Sequence, residues 1–292
     1  MGLFRRRDLA GAKVFITGAA SGIGKATALA VGAKGGELYL TDVNGVALEA
    51  TVAEIEAAGG KVALARAADV SSFDAVQALA AEVHERVDAV DVVMNIAGIS
   101  TWGRLDRLAH AQWQAIIDVN LMGPIHVLEA FVPPMMKARR GGAIVNVSSA
   151  AGIAGFPWHS AYSASKFGLR GVSEVLRFDL RRYGIDVCLV CPGAVNTGLV
   201  QTLNVAGVDT TGTSFTKLRD RFVGHAATPE KAAEQIVKGV ERGTYWVYTS
   251  QDIRLLFLLQ RYFEPGYRLL MRVMNDGFVR AIKKSERTGL PR

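Results

Sequence analysis

The chain has 292 residues, half of them apolar, with two cysteines and a formal charge of +7. This length and composition suit one large core and exclude a disordered or fibrous chain. The charge is uneven: residues 1–13 carry +3 and residues 254–292 carry +6, leaving −2 in between, which argues against a nucleic-acid groove across the fold.

In chain order, Arg5–Arg7 lead at once into strand-like sequence, so no signal peptide is expected. No uninterrupted apolar run of about 18 residues occurs, and no spanning helix is expected. Short β-branched runs predict strands at 13–17, 37–41, 61–65, 90–95, 142–148, 185–191 and 245–248. Helical periodicity fills 23–34, 46–58, 73–86, 110–136, 162–183 and 229–241. Apolar strands alternating with helices predict an α/β fold: a doubly wound, Rossmann-type parallel sheet of about seven strands, with ligands at the strands' carboxyl ends. One domain is expected over 1–250. The Gly/Thr-rich stretch 204–214 reads as a mobile loop over a site, not a boundary.

The first predicted strand runs into TGAASGIGKATALA, with Gly18, Gly22 and Gly24 spaced G-x-x-x-G-x-G. Glycine lets the backbone approach a pyrophosphate, and the following helix offers free N–H groups and a positive dipole end. The second strand ends in LTDVN, placing Asp42 where a carboxylate accepts from both hydroxyls of an adenosine ribose. Asp42 would repel a 2′-phosphate, no Lys or Arg follows at 43 or 44, and Ser21 is neutral. The cofactor expected is therefore NAD rather than NADP. Asp69 after the third strand, and Asn95, Ala97 and Gly98 after the fourth, point into the same crevice.

The fifth strand ends at Ser148 and Ser149, just before a helix bearing YSASK. Tyr162 and Lys166 are four apart and share a face of that helix. A free tyrosine has a pKa of about 10 and is about one part in a thousand ionised at neutral pH. A neighbouring ammonium favours the phenolate, the form needed to take a proton beside a hydride transfer. His159 could touch substrate but is not counted as catalytic. Cys188 and Cys191 lie three apart in a strand and should face opposite sides, with no second pair to complete a zinc site. No metal is expected, and a reducing, cytoplasmic compartment fits.

These motifs together resemble the short-chain dehydrogenase/reductase family, in its main NAD(P)-dependent group, over about residues 8–250. TGAASGIG, DV at 69–70, NIAG, Asn120 in VNLMG, the serine pair, YSASK and PGAVNT occur in the family's order. Ile96 stands where the family often has a second Asn. The resemblance implies Tyr162 as general base/acid, Ser149 holding the substrate oxygen, Lys166 binding the nicotinamide ribose and tuning Tyr162, and Asn120 holding a relay water. It implies a cofactor set of Gly18, Ser21, Gly22, Ile23, Gly24, Asp42, Asp69, Val70, Asn95, Ala97, Gly98, Tyr162, Lys166, Pro192, Val195 and Thr197. The implied activity is NAD-dependent interconversion of a secondary alcohol and its ketone. The alternative is a non-catalytic NAD-binding regulator or scaffold. A hydrophobic substrate fits Trp102, Trp158 and the stretch 196–225. A homodimer or homotetramer built on the helices at 110–136 and 162–183 is implied as well.

The last segment, 251–292, is a basic, apolar helical extension. Arg254, Arg261 and Arg268 recur every seventh residue among Leu, Phe, Tyr and Met, and Pro265-Gly266 predicts a break into two helices. Its apolar face needs a cover, which could be a subunit, the substrate pocket or a lipid surface.

Overall fold

The computed structural model describes residues 7–198, 204–206 and 226–288. Most of the expected pocket loop at 196–225 lies outside these residues. Strands β1 (Lys13–Thr17), β2 (Glu37–Asp42), β3 (Lys61–Ala67), β4 (Val92–Asn95), β6 (Gly142–Val147), β7 (Ile185–Cys191) and β9 (Trp246–Tyr248) form a seven-stranded sheet. Its order is β3-β2-β1-β4-β6-β7-β9, every neighbour parallel. Helices α1 (Gly22–Ala33), α2 (Gly45–Ala57), α3 (Phe73–His84), α4 (His110–Ile117), α5 (Gly123–Ala138), α6 (Ser160–Asp179) and α7 (Pro229–Arg242) surround it. The strand order reverses between β1 and β4, which opens a crevice at their carboxyl ends.

Alternation along the strands divides the core in two. Val14, Ile16, Val92, Met94 and Val145 pack under α1, α2 and α7. Phe15, Tyr39, Val93 and Ile144 turn to the other face, under α3, α5 and α6. Phe15 stacks on Phe131 of α5 with ring centroids 4.2 Å apart. Each fully buried Val, Leu, Ile or Phe contributes roughly 1.5–3 kcal/mol, so both layers hold the sheet firmly. Cys188 and Cys191 do fall on opposite faces, each buried as a free thiol. Burial pushes both thiols up to about 12, far from the thiolate a redox role requires.

The helix expected at 110–136 is instead two helices joined by a wide π turn over Asp118–Met122, which buries Asn120 completely. Among the described residues, His110–Ala138 is the one helical stretch apolar enough to cross a bilayer by composition. Half of its most apolar stretch is buried inside the fold, and α5 contributes Val127, Phe131 and Met135 to the core.

Beyond β9 come α8 (Gln251–Tyr262) and α9 (Glu264–Thr288). The break falls at Phe263 and not at Pro265-Gly266. Pro265 sits in the first turn of α9, where its missing N–H has no helical partner to lose. The Phe263 ring packs tightly onto Gly266, so a side chain there would collide with it.

Candidate active site

Six strand ends, with helices α1 and α6, assemble the crevice. Where β1 meets α1, Gly18 has φ +70°, and a Cβ on it would stand 2.8 Å from the backbone of Ala97. Gly22 has φ +52°, and a Cβ there would press on Thr197 Cγ2 at 3.1 Å. A Cβ on Gly24 would strike the Gly18 carbonyl. The glycine loop is therefore closed against β4's exit on one side and the PGAVNT segment on the other, a cradle that side chains would fill. Ser21 is the exposed N-cap of α1, its hydroxyl making no capping bond, and Ile23 packs on the core below. Thr17, which sequence reading missed, ties the loop together: its hydroxyl accepts from Ile96 N–H (3.0 Å) and Ala97 N–H (3.1 Å).

Asp42 ends β2 beside this cradle. Its Oδ2 accepts from Ala20 N–H (3.0 Å) and its Oδ1 from Asn44 N–H (2.9 Å), so the carboxylate is held at the loop's edge. Asp69 caps its own turn, accepting from Ser71 N–H and Oγ at 2.9 and 2.7 Å. Val70 is buried, and its carbonyl accepts from His126 Nδ1 at 3.0 Å. Asn95 departs from expectation. Its side chain turns into the core and donates to Asn146 Oδ1 (2.9 Å), while Asn146 donates to Ser173 on α6. Only the main chain of Asn95 is thus turned to the crevice. The side chain's orientation follows from strand register, which spacing alone does not reveal.

Opposite the cradle, α6 presents Tyr162 and Lys166. Ser148 is committed to α6, donating to the Lys166 carbonyl at 2.9 Å, whereas the Ser149 hydroxyl accepts from Ala151 N–H at 3.0 Å and neighbours the Tyr162 phenol. Burial raises the Tyr162 pKa above its ordinary value, and the neighbouring Ser149 hydroxyl opposes that rise. Lys166 is buried, its Nζ 5.7 Å from the Tyr162 ring centroid and donating to Val147 O at 3.0 Å. Burial lowers the Lys166 pKa to about 8. Asn120 clamps the loop after β4: Oδ1 accepts from Ile99 N–H and Nδ2 donates to Ile99 O, both at 2.8 Å. A Cβ on Gly98 would lie 3.0 Å from Asn120 Oδ1 and 3.5 Å from Lys166 Nζ, so the three converge. Pro192 O accepts from Ala150 N–H (2.8 Å), and Val195 bridges to Ala227, which fixes the segment that carries Thr197.

Beyond Tyr162 lies an aromatic wall. His159 is buried 4.1 Å from the Trp102 ring and 6.4 Å from Tyr162, centroid to centroid. Its Nδ1 donates to Pro157 O at 2.7 Å, and burial drives its pKa down to about 4. Trp102 lies in β5 (Thr101–Trp102), which pairs with β8 (Asn204–Val205). The extension closes this wall. Trp158 donates to Asn275 Oδ1 (3.3 Å), Phe278 packs on Trp158 at 5.8 Å, and the Tyr267 hydroxyl meets Gly155 N–H at 3.0 Å. Trp158 has φ +68°, a left-handed conformation that costs about 1–2 kcal/mol outside glycine. These α9 residues carry no local motif, so sequence reading could not place them here.

A family model described as "short chain dehydrogenase" matches residues 12–206. The chain is 36% identical over 258 residues to the putative oxidoreductase SadH of Mycobacterium tuberculosis, covering 88% of this chain and 92% of SadH. It is also 36% identical to the probable oxidoreductase EphD of the same organism, but spans only 39% of EphD's length. A short-chain dehydrogenase/reductase from Burkholderia phymatum, solved in complex with NAD, superposes with a TM-score of 0.79 at 30% identity, over 87% of this chain and 94% of that one. A metagenomic short-chain oxidoreductase in complex with NADP gives 0.66 at 31% identity, over 83% and 96%.

Proposed function

The chain belongs to the short-chain dehydrogenase family of oxidoreductases, and we propose that it interconverts a hydrophobic secondary alcohol and its ketone with NAD. The observation that carries this is the convergence of the Ser149 hydroxyl, the Tyr162 phenol and buried Lys166, with the glycine cradle opposite. The cradle fits a dinucleotide, because a Cβ would collide with backbone at Gly18 and Gly24 and crowd Thr197 at Gly22. Gly18, Ser21, Gly22, Ile23 and Gly24 would hold the pyrophosphate, with the main chain of Asn95, Ala97 and Gly98 along the crevice. Asp42 would take the adenosine ribose and Asp69–Val70 would flank the adenine side. Pro192, Val195 and Thr197 would hold the nicotinamide end. When bound, the nicotinamide supplies the hydride acceptor or donor.

The side chains then divide the remaining work. Ser149 orients the substrate oxygen, and Tyr162 takes its proton in oxidation or returns one in reduction. The Lys166 ammonium favours the phenolate against the upward push of burial. Asn120 holds Ile99 and Gly98 against Lys166, which keeps the crevice floor in place. Asp42 supports NAD over NADP: a fixed carboxylate there repels a 2′-phosphate. Trp102, Trp158 and Phe278 make the substrate side apolar.

The test is NAD reduction, followed by nicotinamide absorbance, across a panel of secondary alcohols of increasing apolar size. Turnover that Tyr162→Phe abolishes, with NAD binding retained, is the expected result. NAD binding with no turnover on the whole panel would favour a regulator or scaffold instead.

A further inference from the structure

The outer face of the extension combines exposed apolar side chains with arginines. On α8, Leu255, Leu258 and Tyr262 form one exposed stripe at helical spacing. On α9, Leu269 and Val273 are 63% and 62% exposed, with Leu270 beside them. Arginines flank both stripes: Arg254 and Arg261 on α8, and Arg268, Arg272 and Arg280 on α9. Among the described residues none of these five enters a salt bridge; Arg261 meets the Tyr262 ring at 5.7 Å. Residues 254–292 hold nine basic residues against Glu264, Asp276 and Glu286.

An occupant of this face must therefore be apolar in depth and anionic at its rim. A second copy of the chain fits poorly. Two-fold pairing sets the same patch against itself, which brings two arginine-rich rims together. We propose that the outer face of α8 and α9 is a docking surface for an anionic lipid bilayer. Leucines and valine enter the acyl boundary while the arginines remain among the headgroups. The inner face of α9 places Tyr267, Asn275 and Phe278 on the Gly155–Trp158 loop, next to the wall of the candidate site. Docking thus brings the bilayer within about one helix diameter, ~10 Å, of the substrate side. The inference goes beyond the dehydrogenase reading and does not need it to be correct.

Flotation of the full chain tests it, with vesicles of phosphatidylcholine alone or mixed with phosphatidylglycerol, at low and high salt. We expect flotation with the mixed vesicles at low salt, and loss of it with neutral vesicles or high salt. Each arginine removed in Arg268→Gln/Arg272→Gln should lower partitioning about fivefold, the factor that about 1 kcal/mol per basic residue near an anionic surface gives. Leu269→Ser/Val273→Ser should weaken it too, while NAD titration by intrinsic fluorescence stays unchanged. No flotation on anionic vesicles, or equal flotation on neutral ones, overturns the proposal. So does a Leu269→Ser/Val273→Ser protein that floats normally but changes mass in light scattering, since the face would then belong to a second copy. Turnover without flotation sinks this inference alone; flotation without turnover sinks only the catalytic reading.

Discussion

At Tyr162, two influences oppose each other. Burial favours the neutral phenol, while the Ser149 hydroxyl and the nearby Lys166 ammonium favour the phenolate. Alcohol oxidation needs the phenolate, so its rate should climb with pH, and it should fall again once Lys166, held at about 8, loses its proton. Lys166→Met should move the climbing limb to higher pH, which a kcat profile would show; an unmoved limb would remove Lys166 from this role. Tyr162→Phe should cost about 10²–10⁴-fold in turnover, the usual worth of a general acid–base group. Asp42→Ala should narrow a preference for NAD that we expect to exceed about tenfold, or about 1.4 kcal/mol; fluorescence titration of both cofactors measures it. His159 makes a separate, structural prediction. Its pKa falls from 6.5 to about 4 on burial. Above 6.5 neither state carries its proton. Below 6.5 the unfolded chain gains one that the folded chain refuses until about 4. Stability should therefore drop by up to ~3 kcal/mol across that window. Urea titrations of the wild type and His159→Gln would reveal it as the extra slope of the former, beyond what carboxylates such as Glu37 add to both.

At the scale of elements, the strands lie close to where their apolar runs predict them, because a strand buried on both faces must be apolar throughout. The glycine loop was legible for a similar reason: positive φ and close backbone approach leave glycine little competition at 18 and 22. Three features were not legible. The π turn at Asp118–Met122 interrupts a sequence whose periodicity reads as one helix, since widening one turn leaves composition untouched. Asn95 occupies a strand end that faces the crevice, yet its side chain joins the Asn146–Ser173 network, a pairing set by three elements distant in sequence. The reach of α9 onto Trp158 depends on tertiary packing alone. The π turn carries its own prediction. Asn120→Ala would strip both polar groups of Ile99 of their partner, and each hydrogen bond lost is worth about 0.5–1.5 kcal/mol. Thermal unfolding and turnover should fall together. A stable Asn120→Ala that lost only turnover would instead mark Asn120 as a proton-relay residue.

For the whole molecule, the question is how its exposed faces are shared between a second subunit and other partners. The extension was one candidate cover for a subunit interface, but its unpaired arginines oppose self-association there. The face beside it, which shares a groove with Arg261 and Tyr262 of α8, is better suited. On α6, Phe167, Val175 and Phe178 are exposed on the side away from the sheet, the last two by 58% and 63%. They sit at helical spacing on one stripe, interleaved with Glu174 and Arg177, which pair with each other at 3.6 Å. A stripe of mixed charge and apolar bulk can meet its own copy without like-charge conflict, unlike the arginine-edged face of α8 and α9. We therefore expect a homo-oligomer in which α6 packs on α6 of a second copy. Val175→Glu/Phe178→Glu places four carboxylates at a two-fold contact and should reduce the mass seen by light scattering at micromolar concentration. The same variant should still float with anionic vesicles, since α8 and α9 are untouched. A wild-type protein that scatters as 31.3 kDa, or a double variant of unchanged larger mass, would show that α6 is not the interface.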